Sequence, residues 1–525
     1  MKTIISIAFT AYALFSPLQG ENLNWSSNPE ILSGNFVNTS EPQIAMDANG
    51  NTIALWIENN QVKARTKLIN QSWTIAANLS TSNSSAARLV LDNNGNAFAI
   101  WIENEIIKAS IKPVNQDWTN SVVLSNTGAS FPSLCVDDAG NVTIAWARNG
   151  NIEIKTKMFN KINWQATITI QGTGATTPIV KVGGSGNNKR AVVVWQGITN
   201  GSNAIFTASK SLTGNWSSPQ TISILEHNAA NPNLAVDANG NSLAIWYAYD
   251  IVGLNYSNVS LQAATHRIDS NLWESPKTLS QAGVRNPSTL KAVVAFDTIG
   301  NAIALWNTSY DDETFSLESA VKSLAGQWSE TIDLVDANVY AFSADLSTTS
   351  FGDVLGLYMF YNGASLMIQS IESNINGYLN NFWSVPVTIS IGSNNAYPKI
   401  AATLIGNELY AAAIWANYNG ANNTVMASIG SKTLVSPPSN LSISENLHNF
   451  GVFKEYYTRL TWDESTDPTV VGYLIFRNGV FLAQVGTDTQ EFIDNNRILN
   501  NSVTYSMAAI DDEHTQSRMV SFSFP

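Results

Sequence analysis

The sequence predicts an all-β protein, because two tryptophan-containing patterns recur along most of its 525 residues. The first has the form Trp-polar-x-x-x-x-Leu/Ile, and it occurs at Trp25, Trp73, Trp118, Trp164, Trp216, Trp273, Trp328 and Trp383. The second has the form Pro-x-apolar-Ala-apolar-Asp-x-x-Gly-Asn-x-x-Ala-apolar-Trp, as in residues 42–56. A unit that recurs eight times cannot bury its apolar face alone, so the copies are expected to pack on one another.

One copy of the second pattern is typical of a β-hairpin. Residues 44–56 contain two short apolar runs, and the Asp-x-x-Gly-Asn between them indicates a tight turn. Gly50 supplies the positive φ that such a turn needs, and Asp47 is expected to accept hydrogen bonds from turn N–H groups. A third strand at residues 61–66 and a fourth beginning at Trp73 complete a four-stranded up-and-down unit, which is typical of a propeller blade.

The number and order of the copies predict an eight-bladed β-propeller. The hairpin pattern recurs with the same spacing at residues 87–101, 132–146, 232–246 and 292–306, and in degenerate form at residues 178–195, 339–358 and 398–415. Seven blades are the alternative, because the copy at residues 339–358 lacks Gly-Asn and has Tyr358 in place of tryptophan. The strand at Trp25 precedes the first hairpin, whereas the last unit has no such strand after it. The N-terminal strand is therefore predicted to complete the last blade and close the ring.

The inner hairpin resembles the NHL-type and Asp-box-type repeats of bacterial β-propellers, which share an Asp…Gly turn between two strands. The resemblance covers residues 22–432. It implies the fold and no functional site, because the matching residues build the blade.

The C-terminal part of the chain predicts a separate β-sandwich. Residues 433–438 contain Ser-Pro-Pro and are expected to be a linker, and residues 439–525 carry short β-type runs at sandwich spacing. This part resembles a fibronectin type III domain, which implies that Trp462 is the core tryptophan and Tyr505 the late-strand tyrosine. Such modules act as spacers or docking surfaces.

Residues 1–20 predict a secretory signal peptide. Lys2 gives a positive start, an apolar core follows, and a breaker with a small residue precedes Glu21. The alternative is a buried N-terminal strand. We expect the protein to be secreted or extracytoplasmic, in the periplasm or at the cell surface. No other run approaches the roughly 20 apolar residues that a membrane span needs, so none is predicted.

Composition restricts partners and cofactors. The net charge is −13, and an acidic surface repels phosphate backbones, so nucleic acid is not expected as a partner. Cys135 is the only cysteine, which rules out an intramolecular disulfide and a thiolate metal site. Residues 47–51 lack the alternating carboxylates of a calcium loop, whereas the acidic run at residues 310–313 leaves Ca²⁺ open. No other cofactor is expected, and the chain is expected to be a monomer.

The candidate ligand site lies where the loops after the second strands converge at one end of a propeller axis. Its residues are Glu58, Glu103, Arg148, Tyr247, Tyr249, Asp250, Tyr310, Asp312, Tyr361 and Tyr418. Tyrosine rings stack on the apolar faces of sugars, and polar groups pair with hydroxyls. The favoured function is an exported non-enzymatic binding or adhesion protein whose rim recognises a glycan or a protein surface, with no catalytic residue assigned.

The alternative function is a polysaccharide-acting hydrolase or lyase, similar to a sialidase, that uses rim carboxylates. A sialidase-like enzyme needs an arginine cluster, a tyrosine nucleophile with a glutamate partner, and an acid/base aspartate. Arg88, Arg148 and Arg285 could reach the rim, yet the sequence shows no partners for them, and eight blades differ from that family's six.

Overall fold

The computed structural model describes residues 22–34, 37–211, 214–270, 272–297, 300–311, 314–323, 326–335, 340–349, 352–373, 383–418, 423–449, 454–478, 480–495, 503–512 and 515–524. The predicted signal peptide at residues 1–20 and the candidate site residue Asp312 lie outside these ranges. None of the described residues belongs to a helix long and apolar enough to cross a membrane.

The described residues form β-strands, and two short 3-10 turns at Gly186–Asn188 and Pro287–Thr289. The chain begins with β1 (Asn24–Trp25) and β2 (Glu30–Ile31). Antiparallel four-stranded sheets follow in sequence order, and the first three comprise β3 (Thr39–Met46), β4 (Thr52–Glu58), β5 (Gln61–Lys67) and β6 (Ala77–Asn78); β7 (Ser84–Leu91), β8 (Ala97–Glu103), β9 (Ile106–Lys112) and β10 (Val122–Val123); and β11 (Ser130–Val136), β12 (Val142–Arg148), β13 (Asn151–Lys157) and β14 (Ile168–Ile170). The next two comprise β15 (Thr176–Gly183), β16 (Arg190–Thr199), β17 (Ser202–Ser211) and β18 (Gln220–Thr221); and β19 (Asn228–Val236), β20 (Ser242–Val252), β21 (Asn255–His266) and β22 (Lys277–Thr278). Two more comprise β23 (Ala292–Phe296), β24 (Ala302–Thr308), β25 (Ser316–Lys322) and β26 (Ile332–Asp333); and β27 (Tyr340–Thr348), β28 (Val354–Tyr361), β29 (Leu366–Ser373) and β30 (Val387–Thr388). The next sheet contains β31 (Asn395–Ile405), β32 (Glu408–Tyr418) and β33 (Asn423–Thr433) together with β1 and β2. We number these sheets 1 to 8 in the order of their first strands, β3, β7, β11, β15, β19, β23, β27 and β31.

The first strands of consecutive sheets lie side by side, and the first strand of sheet 8 lies against that of sheet 1. The tryptophan near the end of each second strand is buried between neighbouring sheets; Trp101 of sheet 2, for example, packs on Leu55 of sheet 1. Four-stranded meanders arranged in a closed ring around their first strands make a β-propeller. The predicted all-β repeat fold of the propeller type is confirmed.

The two N-terminal strands complete sheet 8. Strands β1 and β2 both pair antiparallel with β33. Leu32 is fully buried in a cluster with Trp56 and Ile414, and its N–H donates to the Val425 carbonyl oxygen at 2.8 Å. The ends of the ring are thus joined by backbone hydrogen bonds and an apolar cluster, in agreement with the predicted seam.

The repeated aspartate turn links neighbouring sheets as well as the two strands of its own hairpin. In sheet 2, Asp92 Oδ1 accepts from the N–H groups of Asn94 and Asn96, and its Oδ2 accepts from Asn96 Nδ2 at 2.8 Å. Gly95 has a φ of +84°, and a Cβ at this position would lie 2.9 Å from Asp47 Oδ2 of sheet 1. Amide hydrogens thus satisfy the turn carboxylate. Within the described ranges, no group of three His, Cys, Asp or Glu residues could hold a metal ion.

Asp92→Ala is expected to lower the free energy of unfolding by about 1–3 kcal/mol, because the partly buried turn N–H groups lose their acceptor. Urea unfolding would measure the change. Asp117→Ala removes an exposed aspartate of the same sheet, and it should alter the free energy of unfolding by less than about 0.5 kcal/mol. Equal values for the two variants would contradict the role assigned to the turn.

The C-terminal region forms two further sheets. Its strands are β34 (Ser439–Asn449), β35 (Lys454–Asp463), β36 (Val470–Arg477), β37 (Val480–Gly486), β38 (Glu491–Asp494), β39 (Val503–Asp511) and β40 (Val520–Phe524). They pair in the orders β34-β35-β38 and β37-β36-β39-β40. Trp462 of one sheet and Tyr473 and Tyr505 of the other share one buried core, so the two sheets pack face to face.

Candidate functional site

The rim end of the second strands contains a series of buried hydrogen bonds from tryptophan to a carboxylate. Trp56 Nε1 donates to Glu58 Oε2 at 3.1 Å, and Trp101 Nε1 donates to Glu103 Oε2 at 3.0 Å. In sheet 3 the acceptor of Trp146 is Glu153 on the third strand, at 2.8 Å. A buried indole N–H without an acceptor costs free energy, so these carboxylates stabilise the fold.

In sheets 1 to 3, each of these carboxylates also forms an ion pair with a lysine or arginine side chain. The Lys63–Glu58, Lys108–Glu103 and Arg148–Glu153 pairs each have a nitrogen–oxygen distance of 2.8 Å. Burial acts to raise the pKa of Glu58 and Glu103, but hydrogen bonds from the paired lysine and the tryptophan leave the pKa of each below its usual value. The predicted site residues Glu58, Glu103 and Arg148 therefore lie at the rim as members of ion pairs that support the sheets.

Sheet 6 has the same carboxylate without the cation. Trp306 Nε1 donates to Glu318 Oε2 at 2.8 Å, and Glu318 faces Trp306 across β24 and β25 as Glu153 faces Trp146. The position equivalent to Arg148 is Thr308, and the ion pairs of the described residues include none to Glu318. The Tyr310 hydroxyl donates to the other carboxylate oxygen, Glu318 Oε1, instead.

The missing cation changes the protonation of this carboxyl group. Burial raises the pKa of Glu318 to about 7, the Asp333 carboxylate adds to the rise, and the hydrogen bonds from Tyr310 and Trp306 oppose it. Burial and the Glu318 carboxylate together raise the pKa of the Tyr310 phenol. The pair therefore combines a protonated phenol with a carboxyl group that titrates near neutral pH.

In sheets 5 and 7, the neutral amide of a glutamine accepts the hydrogen bond that the Glu318 carboxyl group accepts in sheet 6. Trp246 Nε1 donates to Gln262 Oε1 at 3.2 Å in sheet 5, and the Tyr358 hydroxyl donates to Gln369 Oε1 at 2.7 Å in sheet 7. A buried carboxylate without a cation costs more free energy than an amide in the same place. A strongly shifted carboxyl group that the fold does not require indicates a functional site.

A cavity of about 560 Å³ opens beside Tyr310, between sheets 5 and 6. Tyr310 is 39% exposed, and the Arg285 guanidinium lies over the Phe315 ring at 5.0 Å. The cavity is lined by Leu254, Asn255, Tyr256, Val284, Arg285, Asn286, Thr289, Tyr310 and Asp311. This volume, with one cation, one carboxylate, aromatic rings and amides in the lining, is that of a pocket for a small polar ligand.

The other predicted site residues do not converge on this cavity. Tyr247 is 1% exposed, and its hydroxyl donates to the Asn307 carbonyl oxygen at 2.7 Å, so it lies in the core instead of on the rim. Tyr249 is also buried, and its hydroxyl accepts from Asn203 Nδ2 at 2.9 Å. Tyr247 and Tyr249 are two residues apart in β20, so both side chains point to the same face of the strand, and that face packs on sheet 6.

Three further predicted residues lie elsewhere on the rim. Asp250 pairs with His227 at 2.7 Å. Tyr361 donates to the Gly363 carbonyl oxygen at 2.8 Å in sheet 7, and Tyr418 ends the second strand of sheet 8. Of the described candidates, only Tyr310 lines the cavity between sheets 5 and 6.

Sequence reasoning missed Glu318. The signal is present in the alignment of the repeats: the third-strand residue opposite the tryptophan is a lysine in sheets 1 and 2 but a glutamate in sheets 3 and 6. Two residues after the tryptophan, sheet 3 has Arg148 whereas sheet 6 has Thr308. The sequence indicates Arg285 only as one member of an arginine cluster. In the structure, Arg285 and Tyr310 line the same cavity.

No protein-family model matches the chain, and no curated protein matches it. Among solved structures, the Dos1 propeller is similar over 77% of this chain and 95% of its own, with 8% identity and a TM-score of 0.44. The Penicillium chrysogenum α-L-arabinanase is similar over 66% of this chain and 92% of its own, with 10% identity and a TM-score of 0.36. The Trypanosoma rangeli sialidase is similar over 79% of this chain and 90% of its own, with 11% identity and a TM-score of 0.30.

The prediction of a non-enzymatic binding or adhesion protein is wrong by this comparison. The similar structures are mostly glycoside hydrolases, including a second sialidase, an endo-arabinase and an α-L-arabinofuranosidase, which agrees better with the hydrolase alternative. Likeness at these identities and TM-scores carries no activity over to this chain. The feature of this chain that bears on function is the hydrogen-bonded Tyr310–Glu318 pair.

Proposed function

We propose that the protein is a glycan-acting hydrolase whose reaction centre is the Tyr310–Glu318 pair. The observation that carries the proposal is the hydrogen bond from the Tyr310 phenol, at the cavity wall, to a buried carboxyl group of pKa about 7. A general base is most effective when its pKa lies near the working pH. A tyrosine that transfers its proton to a glutamate is the nucleophile of one class of retaining glycosidases.

The reaction proceeds in two steps. The Tyr310 oxygen attacks the anomeric carbon, its proton passes to Glu318 Oε1, and the departing sugar oxygen takes up a proton from solvent. Water then cleaves the glycosyl-tyrosine bond, Glu318 returns its proton to the phenolate, and the proton released by water passes to solvent. Arg285 offers a planar guanidinium to the same cavity, which favours a sugar that bears a carboxylate.

The wider organisation of the chain belongs to the same proposal. We infer that sheets 1 to 8 are eight blades of one propeller with NHL-type or Asp-box-type hairpins at residues 22–432, followed by a linker at residues 433–438. The two C-terminal sheets, residues 439–525, are then a fibronectin type III-like domain. The strand orders and the shared core at Trp462 support this inference. A signal peptide at residues 1–20 would direct the enzyme out of the cytoplasm, where it would encounter extracellular polysaccharides.

The test is a screen of the full chain against fluorogenic glycosides of neutral and acidic sugars. Tyr310→Phe is expected to abolish turnover of any substrate found, because the nucleophilic oxygen is lost while the ring remains. Glu103→Gln is the matched control, since it alters an equivalent rim carboxylate in sheet 2, and it should retain activity. Full activity of Tyr310→Phe, or no turnover of any glycoside, would overturn the proposal.

A further inference from the structure

The hairpin of strands β20 and β21 in sheet 5 projects from the rim of the propeller. Strand β20 continues to Val252, six residues beyond Trp246, whereas β4 of sheet 1 ends at Glu58, two residues beyond Trp56. Strands β8 and β12 also end two residues after their tryptophans. At roughly 3.3 Å per residue, the four additional residues lengthen the hairpin by about 13 Å. Sheet 5 therefore has a projection that sheets 1 to 3 lack.

The tip of this hairpin, residues 251–254, is apolar and exposed. Val252 pairs with Asn255, so Gly253 and Leu254 form the turn. The exposed fractions are 55% for Ile251, 67% for Val252 and 98% for Leu254. The equivalent turns of sheets 1 to 4 are polar, and they are Asn-Asn at residues 59–60, Asn-Glu at 104–105, Asn-Gly at 149–150 and Asn-Gly at 200–201. Single exposed apolar residues are ordinary, but a group of them at one place indicates a contact surface.

Side-chain contacts fix the position of the hairpin on sheet 5. A bulge interrupts its pairing next to Asp250, and bulges bend a strand. Asp250 Oδ1 lies 2.7 Å from His227 Nδ1, and Asp250 Oδ2 accepts from Asn258 Nδ2 at 2.8 Å. The rings of Tyr249 and Tyr256 pack with their centroids 5.6 Å apart. A contact surface that is already held in place loses less entropy when a ligand binds.

The hairpin forms one wall of the cavity beside Tyr310. Leu254, Asn255 and Tyr256 line this cavity together with Arg285. Pockets of roughly 300–1,000 Å³ take ligands of drug size, which are larger than one sugar ring. The cavity volume of about 560 Å³ therefore accommodates a sugar and part of the group attached to it.

Backbone hydrogen bonds join the hairpin to the other walls of the cavity. Val259 of β21 and Gly283 each donate an N–H to the carbonyl oxygen of the other, at 2.9 and 2.7 Å. Val284 is next in the chain, and its N–H donates to the Ser309 carbonyl oxygen at 3.1 Å. Because Ser309 directly precedes Tyr310, these bonds connect the hairpin to the segment that holds the proposed nucleophile.

The lining of the cavity combines polar and apolar side chains. Arg285, Asn286 and Asp311 offer charges and an amide, which pair with the hydroxyl or carboxylate groups of a sugar. Leu254 and Val284 offer aliphatic surface, of which 98% and 38% is exposed. Aliphatic surface gains from contact with another apolar group, because both are removed from water. The lining thus fits a ligand with a polar part and an apolar part.

We propose that the tip of the β20–β21 hairpin binds an apolar aglycone, the group that leaves when the glycosidic bond is cleaved. Among glycans, this selects those in which the sugar is linked to a hydrocarbon chain, as in a glycolipid. The inference rests on the proposed function, which places the cleaved sugar at Tyr310. Leu254 is then a specificity-determining residue, and it takes no part in bond cleavage.

The test compares the methyl and octyl glycosides of glucose and of glucuronic acid, below the concentration at which the octyl compounds form micelles. Their binding to the full chain carrying Tyr310→Phe is measured by calorimetric titration, so the result does not depend on turnover. For at least one of the two sugars, the octyl glycoside is expected to bind at least about tenfold more tightly than the methyl glycoside. Burial of about two methylene groups accounts for a factor of this size.

Leu254→Ser is expected to bring the ratio of octyl to methyl affinity close to one, whereas Leu254→Met should retain the preference. Ile162→Ser is the matched control, because Ile162 is 94% exposed but lies between β13 and β14 of sheet 3. It should leave the ratio unchanged. The affinity for the methyl glycoside should be the same in all three variants, because the tip contacts the aglycone and not the sugar.

Equal affinities for the octyl and methyl glycosides of both sugars, or an unchanged ratio in Leu254→Ser, would overturn the inference. A wild-type dimer that Leu254→Ser converts to a monomer, measured by light scattering, would also overturn it, since a second copy of the chain would then cover the tip. An octyl preference that depends on Leu254 would support the inference even if no glycoside in the activity screen is hydrolysed. That last result would overturn the proposed function alone.

Discussion

Leu32→Ala is expected to lower the free energy of unfolding by about 2–5 kcal/mol, although Leu32 lies close to the N-terminus. Its side chain is fully buried with Trp56 of sheet 1 and Val425 of sheet 8, so the substitution opens a cavity where the ring is joined. Terminal residues that are not held by packing tolerate such changes. Chemical denaturation followed by tryptophan fluorescence measures the effect.

Ile31→Ala is the matched control for this substitution. Ile31 is the last residue of the short strand β2 and directly precedes Leu32, but it is 50% exposed, so the change should cost less than about 1 kcal/mol. A large difference between the two variants shows that the N-terminal segment is part of the ring. Equal, small effects would mean that the ring is not held by its N-terminal strands.

Glu318→Gln is expected to reduce kcat by roughly 10²–10⁴-fold and yet to stabilise the protein above pH 7. In the folded state the pKa of Glu318 is about 7, whereas its ordinary value is 4.5. Between these values only the unfolded chain releases the proton, so the free energy of unfolding of the wild type falls as the pH rises through this window. The loss is on the order of 3 kcal/mol, and it persists above pH 7. Glutamine does not titrate, so the variant should be the more stable protein at pH 8 and should approach the wild type near pH 4.5.

Glu103→Gln should show the opposite sign at pH 8. The Lys108 ammonium helps to hold the pKa of Glu103 below its usual value, so its ionised form stabilises the folded state, and that contribution is lost as the pH falls through the folded pKa. Thermal unfolding of both variants between pH 4 and pH 8 makes the comparison. A destabilised Glu318→Gln at pH 8 would show that the carboxylate is needed for folding, as its counterparts in sheets 1 to 3 are.

The activity of the wild type should rise with pH around 7, because only the ionised form of Glu318 can accept the Tyr310 proton. A stability gain joined to a loss of activity is typical of a catalytic group held in an unfavourable environment. Gln262 and Gln369 occupy the equivalent place in sheets 5 and 7, so a glutamine at position 318 fits the fold.

The strand-turn-strand units could be predicted from the sequence, because the residues that form each one are close together in the chain. Asp92 and Gly95 act within one turn, and Trp101 follows at a constant distance along the chain, so their spacing survives in the sequence as a repeated pattern. Alternating apolar residues then predicted the strands on either side. The degenerate copy, which has Tyr358 in place of tryptophan, still forms a four-stranded sheet. The Tyr358 hydroxyl donates to Gln369 Oε1, as the indole nitrogen donates to a side-chain oxygen in sheets 1 to 3, 5, 6 and 8.

The site could not be read in this way, because its members belong to different elements. Tyr247 and Tyr249 look like rim residues in the sequence, but both side chains point to the face of β20 that packs on sheet 6, and both are buried. Glu318 looks like an ordinary strand residue, and only its place opposite Trp306, without a cation beside it, marks it out.

The sequence by itself determined the repeated strand-turn-strand unit of this protein, because the hydrogen bonds of a turn and the alternation of a strand connect residues close together in the chain. Only the tertiary structure decided which polar residues meet and which are left without a partner. That outcome depends on how sheets from distant parts of the chain pack. Packing therefore sets the pKa of a buried carboxyl group such as that of Glu318.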